Sequence, residues 1–289
     1  MQISIPVFYS AHHASASFGK YDSRCALTQE QKLRFSDLGT GDTVPQHTGL
    51  FLNSEYSRGV VDLNRDKNDL TSLFHKLDFG RQGKHKVWKD ALELKEEEKR
   101  EIVRTVYDPY HKNILTAIQK FDRPGVIVAW DNTASYESGY VVGSNPDGSP
   151  KLMHPIVLSN NGDRESGDAV NKEVLTCSPE FLEELAYELK LALRKRGLVD
   201  EVHLNTYYYF APNDECGYIA NRYNTFRKGN NLTVSQPVHS FQIEYDTSIT
   251  HDLDSLKPNV GKVEKLKSAF EEAMENTYAN LLTWNIGVT

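Results

Sequence analysis

Three cysteines in 289 residues, Cys25, Cys177 and Cys216, are odd in number, widely spaced and free of any Cys-x-x-Cys pair. That argues against a disulfide framework and for reduced thiols in a cytoplasmic setting, and the sequon Asn231-Leu232-Thr233 is then incidental. No apolar run approaches the roughly 20 residues of a transmembrane helix. Met1 to Tyr9 has no basic leader and reads as a first strand rather than a signal peptide. Lysine- or arginine-rich tracts are missing too, and with a formal net charge of -7 neither nucleic acid nor an anionic membrane is an expected partner. Neither Gly-x-Gly-x-x-Gly nor Gly-x-x-x-x-Gly-Lys-Ser/Thr occurs, so nothing indicates an organic or nucleotide cofactor. Repeats, low-complexity linkers and heptads are lacking as well, and oligomeric state is not legible.

What is present is enough apolar material for a large core: 39% hydrophobic residues, 10% aromatic. Ile3 to Ser10, Gly125 to Trp130, Val202 to Phe210 and Val238 to Tyr245 read as strands, the second as a buried one. Between them lie helices. Ser178 caps one, Pro179 opens it, and Phe181, Leu182, Leu185, Leu189, Ala192 and Leu193 form its stripe until Gly197 stops it. A charged helix covers Leu92 to Val106, Asp108-Pro109-Tyr110 starts another, and Val263, Leu266, Phe270, Ala273, Thr277 and Leu281 mark a C-terminal one. Asn145-Pro146-Asp147-Gly148 is a hairpin-tip turn. The alternation predicts one α/β domain over 1–289, with an open, mostly parallel mixed sheet, helices on both faces and a hairpin insertion near 136–158.

Ligands of such sheets sit outside the carboxyl ends of the strands. There the sequence puts His12-His13, Asp131-Asn132, and Gln242 with Glu244. Histidine, carboxylates and a separate glutamate at one rim are what a metal-dependent hydrolase needs. Each alone has an ordinary reading: a loop, a turn or helix cap, half of a cross-strand ion pair. The segment Ser57-Arg58-Gly59-Val60-Val61-Asp62-Leu63-Asn64-Arg65 adds two arginine forks and an asparagine around an apolar pair. At the edge of a short strand they would clamp a small acid, although a surface salt-bridge cluster has the same composition.

These segments resemble the N-formylglutamate amidohydrolase family, a branch of the zinc-carboxypeptidase-like hydrolases. Ser10-Ala11-His12-His13-Ala14-Ser15 is similar to its early Pro-His-Gly/Ser motif, with His13 at the histidine position. Ser36-Asp37-Leu38-Gly39-Thr40 matches an Asp-Ile-Gly-Ala-like segment, and Ser57 to Arg65 carries Ser-Arg-x-x-x-Asp-Leu-Asn-Arg in full. Tyr107-Asp108-Pro109-Tyr110-His111, Cys216-Gly217-Tyr218-Ile219 and Gln242-Ile243-Glu244 follow in order. The resemblance implies a divalent metal, zinc first and manganese or iron as alternatives, held by His13, Asp37 and Asp131. It implies Glu244 as general base and Arg58, Asn64 and Arg65 on the carboxylate of a small acidic substrate. His111 and Tyr218 are further pocket candidates, with a bracing residue and a core tyrosine as the competing readings.

One departure stands out: Asp131-Asn132-Thr133 replaces the family's His-Ser-Met-like segment, putting a carboxylate where the third ligand is a histidine. His12 is not expected to compensate, because adjacent side chains of an extended segment point apart. The implied activity is hydrolysis of an N-acyl amino acid such as an N-formylglutamate-like substrate. A carboxypeptidase-like hydrolase of short peptides or conjugates, and a carboxylate-binding protein that has lost its metal, are the alternatives.

Overall fold

The computed structural model describes residues 5–46, 49–77, 85–133, 141–144, 150–152, 154–206 and 217–283. Its strands are β1 (Val7–Ala11), β2 (Gly49–Asn53), β3 (Gly125–Thr133), β4 (Val141–Ser144), β5 (Pro150–Leu152), β6 (Ile156–Ser159), β7 (Val202–Leu204), β8 (Val238–Asp246), β9 (His251–Asp252) and β10 (Lys257–Pro258). The helices are α1 (Gln29–Phe35), α2 (Thr40–Thr43), α3 (Leu70–Leu73), α4 (Glu96–Ile102), α5 (Asp108–Ile118), α6 (Pro179–Lys195), α7 (Tyr218–Arg222) and α8 (Val260–Thr283). Six strands form one open sheet in the order β2-β1-β3-β8-β6-β7. All neighbours are parallel except β6 against β8. The expected mostly parallel α/β sheet is the observed one.

Side-chain alternation divides the core. Tyr9, Val128, Trp130, Phe241, Ile243 and Tyr245 turn to one face, where α6 and α8 cover them with Phe181, Leu185, Leu189, Leu266 and Phe270. Phe8, Ile127, Ala129 and Val238 turn to the other, against Ile114, Ala117 and Ile118 of α5, Ile219 of α7 and the buried Val60, Val61 and Leu63. Asp131 and Glu244 share the parity of that second face.

Local signals set α6 as expected. The Ser178 hydroxyl accepts from the Phe181 N–H, Pro179 opens the helix, and Gly197 follows its end at φ +66°. Three elements differ from expectation. The helix that Pro109 was expected to start is continuous with α4 through one π turn, Val103 to Tyr107, in which the Asp108 N–H donates to the Val103 carbonyl. The wider turn accommodates a proline that has no N–H and whose ring would crowd the preceding turn. Strand β7 stops at Leu204, because Asn205 turns left-handed at φ +47°; Tyr207 to Phe210 lie outside the described residues. The segment 57–65 is not a strand edge but two successive turns, closed by Val60 N–H to Ser57 O and Arg65 N–H to Asp62 O. The antiparallel partners β4 and β5 flank the expected Asn145–Gly148 turn, which lies outside the described residues.

Candidate active site

Strand β1 ends at Ala11, and a turn follows in which the Ala14 N–H returns to the Ala11 carbonyl. His12 continues the parity of Phe8 and Ser10, and the turn brings His13 round to the same side, the two rings 4.3 Å apart. The expectation that adjacent side chains diverge fails here because the chain has left the strand. Nε2 of His12 lies 2.7 Å from Asp131 Oδ2, and Nδ1 of His13 lies 3.2 Å from Asp131 Oδ1. The same His13 Nδ1 is 2.8 Å from Asp37 Oδ2, while its Nε2 is 2.8 Å from Asp62 Oδ1.

Asp37 is set by backbone geometry. It sits at φ +49°, and its carbonyl accepts from both the N–H and the hydroxyl of Thr40. Gly39 has to be glycine: a Cβ there would lie 2.1 Å from His251 Nε2. Asn132 ties the same loop to β3 by donating to the Leu38 carbonyl at 2.7 Å and to the Tyr245 hydroxyl at 3.0 Å.

Buried charge of both signs meets at this point. Burial and the nearby Arg58 push His13 toward the neutral ring, but Asp131, Asp62 and Asp37 outweigh them and raise its pKa well above the ordinary value. Burial would raise Asp131 and Asp62. For Asp131, His12 and His13 reverse that effect; for Asp62, His13 and Arg58 do, and both carboxyls titrate below their usual range. Asp37 goes the other way, its pKa raised by burial despite Arg58 and His13. Three carboxylates thus converge here on His13 and Arg58.

His12, His13 and Asp131 could hold a divalent cation. Nitrogens of His12 and His13 and a carboxylate oxygen of Asp131, all buried, lie within 4.8 Å of one another. Although His12 Nε2 approaches Asp131 Oδ2 and Asp131 Oδ1 approaches His13 Nδ1, neither His12 Nε2 nor Asp131 Oδ1 makes a hydrogen bond, and both are buried. Close, converging and badly aligned for each other is how ligands of a common ion look. Asp62 stands behind His13, where a carboxylate orients a ligating imidazole.

Glu244 is on β8 in direct register with Asp131 of β3, and paired residues of neighbouring strands share a face. Gln242 Nε2 donates to Glu244 Oε1 at 2.8 Å, and its own Oε1 accepts from the Gly217 N–H at 2.8 Å. The sequence decides what these residues belong to: the family model of N-formylglutamate amidohydrolase matches residues 5–249. The chain belongs to the N-formylglutamate amidohydrolase family.

This amidohydrolase-like hydrolase also has the family's fold. It is similar to the N-formylglutamate amidohydrolase of Ralstonia eutropha JMP134, with a TM-score of 0.59 and 16% identity over 97% of this chain and 95% of that one. A gene product of Agrobacterium tumefaciens gives 0.60 and 15% identity over 96% and 92%. Among curated proteins no sequence matches.

Within this family member the Ser57–Arg65 block makes contacts of its own with the cluster and with α7. Its turns bury Arg58 between carboxylates, 3.4 Å from Asp37 Oδ1 and 3.3 Å from Asp62 Oδ2. Asn64 faces α7: its Oδ1 accepts from the Ile219 N–H and its carbonyl from the Tyr218 N–H. Arg65 keeps 40% of its side-chain surface exposed, with Nε 3.9 Å from Asp62. His111 sits among Tyr107, Tyr218 and Tyr223, with Nδ1 2.8 Å from the Tyr223 hydroxyl and Nε2 buried without a hydrogen bond. Burial lowers its pKa to about 3. Phe241 and Ile243 point into the opposite core layer, since they alternate with Glu244 along β8. Asp62 and His75 join the site although neither was assigned a role in it, and Gln242, named at the strand end without a role, joins it by its contact with Glu244. His75 Nε2 reaches Asp62 at 2.8 Å from 13 residues away. For Asp62 the signal was in plain view, inside the Ser-Arg-x-x-x-Asp-Leu-Asn-Arg block.

Proposed function

We propose that this protein is a metal-dependent amidohydrolase that releases the acyl group, formyl in the first instance, from an N-acyl amino acid with an acidic side chain. The observation that carries the reading is the register of Glu244 with Asp131, beside the buried His12, His13 and Asp37. His12, His13 and Asp131 would hold a divalent ion, with Asp37 adjoining; two imidazoles with carboxylate oxygen suit zinc, and the added carboxylate leaves manganese or iron open. When bound, the ion supplies Lewis-acid polarisation of the acyl carbonyl and acidification of water.

The chain's own residues do the rest. Glu244 takes a proton from the attacking water, whose oxygen bonds to the acyl carbon. It then delivers that proton to the nitrogen as the carbon–nitrogen bond breaks, leaving a carboxylic acid and a free amine. Gln242 fixes one oxygen of Glu244 and so aims the other. Arg65 is the guanidinium we assign to the substrate carboxylate, because Arg58 is spent on Asp37 and Asp62. Arg58 holds those two carboxylates in position, Asn64 anchors α7, and His111 and Tyr218 form the wall on that side. His12 beside Asp131 weakens the reading of a binding protein that has lost its metal, since the imidazole missing from one position is supplied from another. Three widely spaced cysteines with no Cys-x-x-Cys pair support a reducing, cytoplasmic location; among the described residues no helix is long and apolar enough to cross a membrane.

The test is hydrolysis of N-formyl and N-acetyl glutamate and aspartate by metal-loaded protein and by Glu244→Gln. The expected result is wild-type turnover and, in the variant, a kcat lower by roughly 100-fold or more with unchanged metal content. Full activity in Glu244→Gln would sink the mechanism, and no activity on any N-acyl acid would sink the substrate class.

A further inference from the structure

At the β7 edge of the sheet a second group of metal-ligating side chains assembles, with ligand atoms of His154, Glu165 and His203 within 4.8 Å of one another. His154 precedes β6, His203 is the middle residue of β7, and Glu165 lies in the loop after β6. The two imidazoles stack with centroids 3.7 Å apart and planes inclined by 15°. Nδ1 of His203 is 3.2 Å from Glu165 Oε2. Ligands about 2.0–2.1 Å from a tetrahedral ion stand roughly 3.3 Å from each other, so this edge already has the required length. The rings lie nearly parallel, so one of them must tilt away from the stack before both can point a nitrogen at one ion.

Glu165 is aimed at this place. Its N–H donates to the Leu204 carbonyl at 2.9 Å, and the Thr206 hydroxyl donates to Oε1 at 3.1 Å, leaving Oε2 toward His203. The residue takes a left-handed backbone, φ +60°, to do so. Side-chain exposures of 28% for His203 and 48% for Glu165 leave the group open to exchange with solvent.

We propose that His154, Glu165 and His203 form a second divalent transition-metal site. Two imidazoles and one carboxylate select zinc, copper or nickel over magnesium and calcium, which prefer all-oxygen shells. Sheet register locates it. His203 pairs with Val157, and Val157 pairs with Glu244, so His203 and Glu244 emerge from one face two strands apart. At the usual strand spacing that is roughly 10 Å. An ion here adds positive charge on the face that carries Glu244 and pins the short edge strand β7 to the loop after β6. The inference does not depend on the reaction proposed above.

The test uses full-length, tag-free protein stripped with chelator, titrated calorimetrically with zinc and, in parallel, with copper followed by electron paramagnetic resonance. Wild type is expected to show two classes of site. The double variant His154→Asn/His203→Asn loses one class and its nitrogen hyperfine pattern, whereas Asp131→Asn loses the other. Glu165→Gln, which leaves both rings in place, should weaken the edge site by about tenfold or more. If the buried cluster binds nothing, a single class remains that vanishes in the double variant. Identical zinc stoichiometry and affinity in wild type and double variant would overturn the proposal.

Discussion

Asp62 has no exposure and four cationic or imidazole neighbours: His13, His75, Arg58 and, more distantly, Arg65. Removing its charge leaves Arg58 facing one carboxylate instead of two and His13 without its orienting acceptor. Breaking a buried charge pair costs about 3–5 kcal/mol, and losing an orienting carboxylate weakens a metal site about 10–100-fold. Asp62→Asn is therefore expected to lower the urea midpoint of the metal-free protein and, separately, the zinc affinity measured against a chelating dye. Unchanged zinc affinity would show that Asp62 only balances Arg58. Arg65 makes the opposite case, a partly exposed guanidinium with little structural duty. A charged hydrogen bond is worth about 1.5–3 kcal/mol, so Arg65→Ala should raise KM for an acidic substrate about 10–100-fold with kcat nearly constant. An analogue with its carboxylate amidated should be indifferent to the change, and a kcat loss for both substrates would assign Arg65 to the chemistry instead.

Among the elements, α7 has only Tyr218 to Arg222 and depends on outside contacts for its place. Asn64 provides them, and a Cβ on Gly217 would lie 2.0 Å from Asn64 Nδ2. Gly217→Ala must therefore displace the Asn64 side chain, together with its bond to the Ile219 N–H and the Gly217–Gln242 contact that aims Glu244. The expected cost is about 1–3 kcal/mol for the unsatisfied buried groups, with a fall in kcat that thermal melts and steady-state rates would separate. A variant with wild-type kcat would uncouple α7 from Glu244. The π turn before α5 belongs to the same scale. Pro109 announced a helix start in sequence, and it does mark one, but the preceding helix runs into it because one widened turn relieves the proline clash.

At the scale of the whole molecule, His239 links the two layers under α6, accepting the Ser178 N–H on Nδ1 at 3.4 Å between Phe181 and Phe226. Burial pushes its pKa down to about 3, against roughly 6.5 in an unfolded chain. The native state therefore excludes a proton that the unfolded chain binds. Its stabilising effect is complete above pH ~6.5 and is lost as pH falls toward ~3, by up to about 1.4 kcal/mol per pH unit. Urea midpoints from pH 7 to pH 4 should fall more steeply for wild type than for His239→Gln, which keeps an acceptor for Ser178 but cannot be protonated. Parallel slopes would place the acid sensitivity elsewhere.

Local chemistry in the sequence was sufficient for α6, because Ser178, Pro179 and Gly197 act within a turn of the helix they bound. It was sufficient for β3 and β8, whose apolar runs need burial on both faces, and for the α/β class that alternation implies. The ordered motifs identified the family and brought His13, Asp37, Asp131 and Glu244 forward as candidates. Side-chain direction was decided only by tertiary structure. A turn after Ala11 brings His13 round to the side of His12, so that both join the cluster, and packing of the 57–65 turns commits Arg58 to carboxylates and Asn64 to α7. Sheet order sets Asp131 beside Glu244, 113 positions later, and brings His154, Glu165 and His203 to one edge. The physical reason is reach: capping and periodicity act within a few residues, whereas these contacts exist only once the sheet has closed its register.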